Sequence, residues 1–298
     1  MPESAAAARR ALPPWLKVKL GGGERANRIR DVSRRRGLHT VCGEARCPNA
    51  GECWGGGTAT FMVMGKACTR GCRFCSVAPQ ARLPLPDPEE PRSLGETLAE
   101  MGLSYAVLTT VCRDDLPDQG AGHLARCIRA VKERCPETRL EILLQDFCGD
   151  EALLKIVLDA GPDVVGHNLE TVRRLTPVVR DARAGYDQSL QVLRACKRLL
   201  PRSPTKSSLM LGLGETREEV LETFQNLRSS GVDFLTLGQY LRPTAANRHL
   251  KVVEFVSPNA FNDYAASARS LGFRRVASGP FVRSSYRAGE LFLKGLPA

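Results

Sequence analysis

Residues 66–77 read KACTRGCRFCSV, which puts Cys68, Cys72 and Cys75 into eight positions with the spacing C-x3-C-x2-C. The run follows a short apolar, β-rich stretch, TATFMVM (58–64), and so lies on the loop that leaves a strand. Five more such stretches follow: YAVLTTV (105–111), LEILL (140–144), DVVGH (163–167), SLMLGL (208–213) and DFLTLG (233–238). Helical periodicity separates or follows them at 92–101, 122–134, 151–160, 187–199, 215–229 and 259–271, with a short helix upstream at 25–36. Strands alternating with helices predict a parallel sheet, and near-continuous apolar strands predict cover on both faces. No G-x-G-x-x-G follows the first strand, so a dinucleotide-binding sheet has no support. Polar clusters fall after every strand: CTRGCRFC, CRDDLPDQG, QDFCGD, NLET, GET and QYLRPT. That is where a barrel keeps its working residues. The expected fold is α/β, a partial (β/α)6 TIM-type barrel over 58–275. Irregular extensions flank it at 1–57 and 276–298.

The chain has 298 residues, 43% of them hydrophobic, enough for one barrel-sized core. No run approaches the length of apolar sequence that spans a membrane, so a soluble protein is expected. The net charge of +11 is uneven: residues 1–36 hold ten Lys/Arg against three Asp/Glu. A targeting segment, a dock for an acidic partner, a nucleic-acid arm and a plain solvated tail all fit such an arm. Aromatics make up only 6% of the chain, too few for a stacking platform that binds nucleic acid. Eleven cysteines is an odd number, with six between 42 and 75. A disulfide framework suits small secreted chains, so reduced thiolates on a metal or cluster fit better. Cys112, Cys127, Cys135, Cys148 and Cys196 are read as small packing residues.

A second trio, Cys42, Cys47 and Cys53, is spaced C-x4-C-x5-C in CGEARCPNAGEC. Structural zinc takes four ligands, and His39 leaves a Cys3His zinc site open as an alternative. A 4Fe–4S cluster takes one thiolate per iron, so three thiolates leave one iron free to bind something else. The C-x3-C-x2-C loop resembles the radical S-adenosylmethionine (SAM) superfamily, with Arg70 and Gly71 allowing a tight wrap and Phe74 as its aromatic before the last cysteine. HTVCGEARCPNAGECW, CTRGCRFCSV, RDDLPDQGAGH, HNLETV, TKSSLMLGLGET, LTLGQYLRPT and SGPFVRSSYRAGE together resemble lipoyl synthases, over nearly the whole chain.

That resemblance implies two 4Fe–4S clusters. Cys68, Cys72 and Cys75 would hold the one that chelates SAM and yields a 5′-deoxyadenosyl radical. Cys42, Cys47 and Cys53 would hold an auxiliary cluster that is spent as the sulfur source. Its fourth ligand would come from Arg283-Ser284-Ser285-Tyr286, with Ser285 the first choice and Ser284 the second. Two sulfurs would enter at carbons 6 and 8 of an octanoyl chain on a lysine, at one SAM per carbon. The lysine would belong to a lipoyl carrier domain, a dehydrogenase E2 subunit or a glycine-cleavage H protein. Phe74, Thr109, Asn168, Glu170 and Gln239 would face SAM. Arg113, Asp114 and Asp115 would position a loop or substrate, or form a structural ion pair. Lys206 is open to either role, and His167 is expected to be structural. GLGE (212–215) lacks the lysine of a phosphate loop and reads as a tight turn. A ferredoxin-like electron donor and an iron–sulfur carrier are implied, with no nucleic acid, no membrane and a monomeric chain. PPWLK, RHLKV and AGELFLK resemble organellar versions, so a mitochondrion is expected, ahead of a plastid or a bacterial cytoplasm. Cys112, Gln119 and Gln145 depart from the family pattern, where Asp, Gly and Pro are usual. The rival readings are a tRNA methylthiotransferase, a biotin-synthase-like enzyme and a non-catalytic iron–sulfur carrier.

Overall fold

The computed structural model describes residues 12–17, 22–36, 40–44, 47 and 49–293. His39, and with it the zinc alternative, lies outside them. The strands are β1 (Thr58–Val63), β2 (Ala67–Cys68), β3 (Ala78–Pro79), β4 (Tyr105–Thr110), β5 (Arg139–Leu143), β6 (Val164–Gly166), β7 (Thr205–Leu211), β8 (Phe234–Gln239) and β9 (Arg275–Gly279). Seven of them form one all-parallel sheet in the order β1-β4-β5-β6-β7-β8-β9, and β2 pairs with β3 beside it. Each strand lies beside its predecessor in the sheet, as helical crossovers of one hand require. The result is a partial barrel whose unpaired edges are β1 and β9. The six strands expected are all present. The seventh, β9, was not singled out, because its residues RVASG are only half-buried and lack an apolar run.

The helices are α1 (Glu24–Arg35), α2 (Val41–Glu44), α3 (Ala50–Gly55), α4 (Glu90–Met101), α5 (Ala121–Arg134), α6 (Glu151–Leu158), α7 (Thr176–Val179), α8 (Tyr186–Leu199), α9 (Arg217–Ser229), α10 (Pro258–Ser270) and α11 (Ala288–Leu293). Amphipathic stripes on α4, α5, α6 and α8 bury Leu98, Ile128, Leu154 and Cys196 against the outer faces of the strands. Every residue of β1 and β8 is buried, which is why these strands read as unbroken apolar runs. α9 starts two residues later than its acidic run predicts. Glu215 turns back to accept from the backbone N–H groups of Gly212 (2.5 Å) and Leu213 (2.9 Å), and Thr216 caps the helix in a capping box with Glu219. GLGE is therefore a tight turn, with Gly212 and Gly214 both at φ 100°.

The lower barrel is closed by charge as well as carbon. Lys206 Nζ donates to both carboxylate oxygens of Glu141 at 2.8 and 3.0 Å, and the Tyr105 hydroxyl donates to the same group at 2.7 Å. Lys206 and Glu141 are 3% and 2% exposed, so the lysine is a buried structural partner and is spent below the site. Ala288 of α11 packs with Tyr105, Val107, Val164 and Phe234 at this end.

The two extensions meet between the free edges. Thr40 bridges Phe61 of β1. The Asn49 amide donates to Phe281 O at 2.6 Å, and the Tyr286 hydroxyl donates to Glu52 at 3.2 Å. No helix among the described residues is long and apolar enough to cross a membrane.

Candidate active site

The cluster loop leaves β1 at the upper rim, and one of its buried anchors is Arg70. Arg70, 4% exposed, donates Nη2 to Asp114 at 2.7 Å and Nη1 to Asp146 at 2.7 Å. This ties the cysteine loop to the loops after β4 and β5. Burial works against the charge of Arg70, but the two carboxylates outweigh it and raise its pKa. In return Arg70 holds Asp114 and Asp146 below the ordinary carboxylate range against the pull of burial. Asp181 accepts from Gly71 N at 2.8 Å, and Arg183 bridges Asp181 to Thr69 O. From the far side Arg248 donates to the carbonyls of Cys75 and Val77 at 3.1 Å, and His249 Nε2 donates to Cys75 O at 3.0 Å. Sequence reading missed Arg248, His249, Asp181 and Arg183 as holders of this loop. Nothing local marks a residue that grips a loop over a hundred positions away.

The thiols themselves are left to bind. Cys72 Sγ accepts from Asp181 N at 3.3 Å, and Cys68 Sγ accepts from Arg70 N at 3.4 Å and Cys112 N at 3.2 Å. These are backbone donors of the kind that steady a ligating sulfur. The Cys112 thiol also donates to Cys68 and lowers it to about 6, while burial pushes Cys75 up to about 12 and Cys72 upward. Burial likewise raises Cys42 to about 12 and Cys53 to about 11. Loading a cluster must therefore release protons from most of these thiols.

Both trios open on one cavity of about 640 Å³. Its wall includes Cys68, Cys72 and Cys75, Cys42 and Cys47 of the second trio, and Ser284 and Ser285. Cys53 sits behind, 8% exposed, where Arg287 N donates to its sulfur. Neither serine hydroxyl bonds to another described residue, and Arg283 leans toward Cys47, its guanidinium lowered by burial. The donor set fits two clusters: each trio offers three thiols, and the hydroxyls of Ser284 and Ser285 lie on the same cavity wall as Cys42 and Cys47. The same cavity is lined by Phe74, Thr109, Asn168, Glu170 and Gln239. Glu170 holds a left-handed φ of 70°, rare for a residue with a side chain, and Asn168 donates to its carboxylate. Burial raises the Glu170 pKa, which Arg180 opposes. Gln239 is differently placed: its amide nitrogen donates to Leu211, Tyr240 and Glu254 carbonyls, and its oxygen accepts from Val256 N. It therefore knots the rim together.

The sequence matches the radical SAM superfamily over residues 62–227 and the N-terminal domain of lipoyl synthase of the radical SAM family over residues 3–47. It is 58% identical over 283 residues to a lipoyl synthase of Anaeromyxobacter sp. (strain Fw109-5), covering 95% of each chain. It is 54% identical over 291 residues to a mitochondrial lipoyl synthase of Aedes aegypti, covering 96% of this chain and 73% of that one. The chain belongs to the lipoyl synthase family. It is a radical SAM enzyme of sulfur insertion, and the superfamily implies a 4Fe–4S cluster and SAM. Solved structures share the fold: methylornithine synthase (PylB) superposes with a TM-score of 0.55 at 15% identity over 88% of this chain and 84% of that one. The hydrogenase maturase HydG gives 0.57 at 13% identity over 74% and 56%.

The departures from the lipoyl synthase pattern now have places. Gln119 sits at φ 48°, a conformation glycine adopts at no steric cost, and its side-chain oxygen is buried without a partner. Gln145 reaches it, donating to Gln119 O at 2.5 Å and accepting from Arg113 N at 3.3 Å, so the two departures share a contact. Arg113 is 1% exposed and forms an ion pair with Asp115, while Asp114 serves Arg70. His167 is satisfied, its Nδ1 donating to Leu144 O at 3.0 Å and its Nε2 accepting from the Ser189 hydroxyl at 3.0 Å.

Two expectations follow. Burial lowers His167 from 6.5 to about 4. A depressed pKa means the unfolded chain binds the proton first. Stability should therefore fall by about 3 kcal/mol as pH drops from about 6.5 to about 4. Urea midpoints across that range test it, and a flat profile would contradict it. Second, a Cβ on Gly238 would lie 2.0 Å from Val282 O. Gly238→Ala should push Val282–Ser285 off the cavity wall. If the second trio holds a cluster, iron analysis should then find it released faster and the Cys68 cluster unchanged.

Proposed function

We propose that the chain converts an octanoyl group, held as an amide on the lysine of a lipoyl carrier domain, into a lipoyl group. The observation that carries this reading is that Cys68, Cys72 and Cys75, Cys42 and Cys47 of the second trio, and two serines with unbonded hydroxyls line one cavity. Cys68, Cys72 and Cys75 hold the SAM cluster. Cys42, Cys47 and Cys53 hold an auxiliary cluster with Ser285 as fourth ligand, or Ser284 in its place. When bound, the clusters and SAM supply a 5′-deoxyadenosyl radical and a store of sulfide.

What the chain's own residues contribute is position. An unactivated C–H bond gives an acid or base no foothold, so the reacting atoms must be aligned and kept dry. Met62, Val111, Leu143 and Met210 give the cavity apolar walls for an alkyl chain. The half-buried carboxylate of Glu170, with Asn168 beside it, is the acceptor for a polar group of SAM. Phe74 and Thr109 border the same space, and Gln239 keeps the rim in shape. In this reading residues 1–57 and the segment after β9, which extends the barrel past the expected 275 to Gly279, carry the sulfur store to a barrel that carries the radical. A lipoyl carrier domain of a dehydrogenase E2 subunit or an H protein brings the substrate. A ferredoxin-like donor brings electrons, and an iron–sulfur carrier rebuilds the spent cluster. Bacterial and mitochondrial relatives match almost equally, so the basic arm and local resemblances alone favour a mitochondrial setting.

The test is anaerobic. The protein is reconstituted with iron and sulfide, then given SAM, reductant and an octanoyl-lysyl peptide. The reading requires two sulfurs gained per peptide and two deoxyadenosines per product. Deoxyadenosine without sulfur would sink the auxiliary-cluster assignment, and neither product from a fully loaded protein would favour a cluster carrier.

A further inference from the structure

Beside the auxiliary trio, one buried donor lacks an acceptor. Trp54 follows Cys53 on α3 and is 4% exposed, yet its indole N–H makes no formed hydrogen bond. Buried polar groups are nearly always paired, and an unmet one is costly. The ring is held on its other side by α1, with the Arg30 guanidinium 5.9 Å above its centroid and Ala26, Ile29 and Val32 in the same cluster. Cys42 packs against this same cluster, and the indole N–H lies near enough to its sulfur to favour the thiolate while falling short of a formed hydrogen bond.

A neutral thiol is a poor acceptor, whereas a thiolate on iron is a good one. We propose that Trp54 Nε1–H donates a full hydrogen bond to the Cys42 sulfur when the auxiliary cluster is bound. This rests on the assignment of Cys42, Cys47 and Cys53 to that cluster. Trp54 is then a positioning residue for a cofactor that the reaction consumes. Its donor is satisfied in the loaded enzyme and orphaned again once the cluster is spent, which favours reloading. A hydrogen bond to a ligand sulfur also raises the reduction potential of its cluster. No feature of the sequence showed this, because a tryptophan next to a cysteine is read first as packing.

Trp54→Phe removes the N–H and keeps a ring under Arg30. The experiment uses the full chain loaded with both clusters and follows iron release to a chelator. The auxiliary phase should run about tenfold faster in Trp54→Phe, its midpoint potential should be more negative, and the SAM-cluster phase should not change. In the unaltered protein, with nitrogen-15 in the indoles, electron–nuclear double resonance on the reduced auxiliary cluster should detect a coupled nitrogen. That second measurement decides the matter if Trp54→Phe does not fold. A loaded auxiliary cluster with no coupled nitrogen, or with equal release rates and potentials in the two proteins, overturns the inference alone. Failure of the unaltered protein to hold a second cluster overturns the assignment beneath it as well.

Discussion

With Cys47 replaced by alanine, the protein should still cleave SAM to 5′-deoxyadenosine and add almost no sulfur. The two trios are held by separate parts of the chain. Arg70, Arg183, Arg248 and His249 grip the loop at 68–75, and none of the bonds they make there reaches residues 42–53. Losing a thiolate from the extension should therefore leave the radical machinery standing. Sulfur insertion should fall by more than about a hundredfold, beyond what loss of an outer hydrogen bond to a ligand costs. Cys47 is the best choice of the three because it lines the cavity, whereas Cys53 is buried under Arg287 and its loss would unsettle α3. Cys72→Ala should abolish both products. Ser285→Ala should be milder than either, since three thiolates remain, and milder still if Ser284 is the ligand. Full sulfur insertion by Cys47→Ala, measured by mass spectrometry of the peptide, would contradict the division of labour between the trios.

Arg70→Ala should be the most destabilising single change near the site. The guanidinium is 2% exposed, and its partners Asp146 and Asp114 are 1% and 13% exposed. Removing it leaves Asp146 as an uncompensated buried charge, at a cost of about 3–5 kcal/mol. The loop between Cys68 and Cys72 also loses its tie to Asp146 on the β5 loop and keeps only the Thr69 bonds to the β4 loop, so cluster retention should fall with stability. Linkage gives the sign of the pH effect. Arg70 holds Asp146 below its ordinary value; without it, burial raises that carboxyl. The variant's deficit should then narrow as pH falls and Asp146 takes up a proton. Arg70→Ala combined with Asp146→Asn should recover part of the loss, and Arg70→Lys should recover less than its charge suggests, because one ammonium cannot fork to two carboxylates. Urea unfolding of the metal-free proteins checks all three. An Arg70→Ala protein within about 1 kcal/mol of the parent would show the clamp to be idle.

Much of the site was legible because its chemistry is local. The spacing of Cys68, Cys72 and Cys75 lies within eight residues, and each strand of the barrel announces itself by an apolar run. The trio Cys42, Cys47 and Cys53 stood out by the same token, and its proposed partnership with Ser284 and Ser285 came from resemblance, not from any rule of spacing. What stayed hidden is what depends on long-range contact. Arg248 and His249 act on Cys75 across 173 and 174 positions. β9 hid because a half-buried edge strand has little apolar pattern, and Lys206 stayed ambiguous because only the fold reveals Glu141 opposite it. Gln239 was read as a ligand of SAM from motif position, whereas its hydrogen bonds go to backbone at the rim.

The central claim is that the extension trio holds sulfur to be spent into the cavity it shares with SAM. Loading the auxiliary site with heavy-isotope sulfide, then allowing one turnover in the absence of free sulfide, tests it most directly. Both sulfurs of the lipoyl product should carry the label, and the auxiliary cluster's iron should be released while the SAM cluster stays intact. Unlabelled sulfur in the product, or label in the product with the auxiliary cluster still whole, would contradict it.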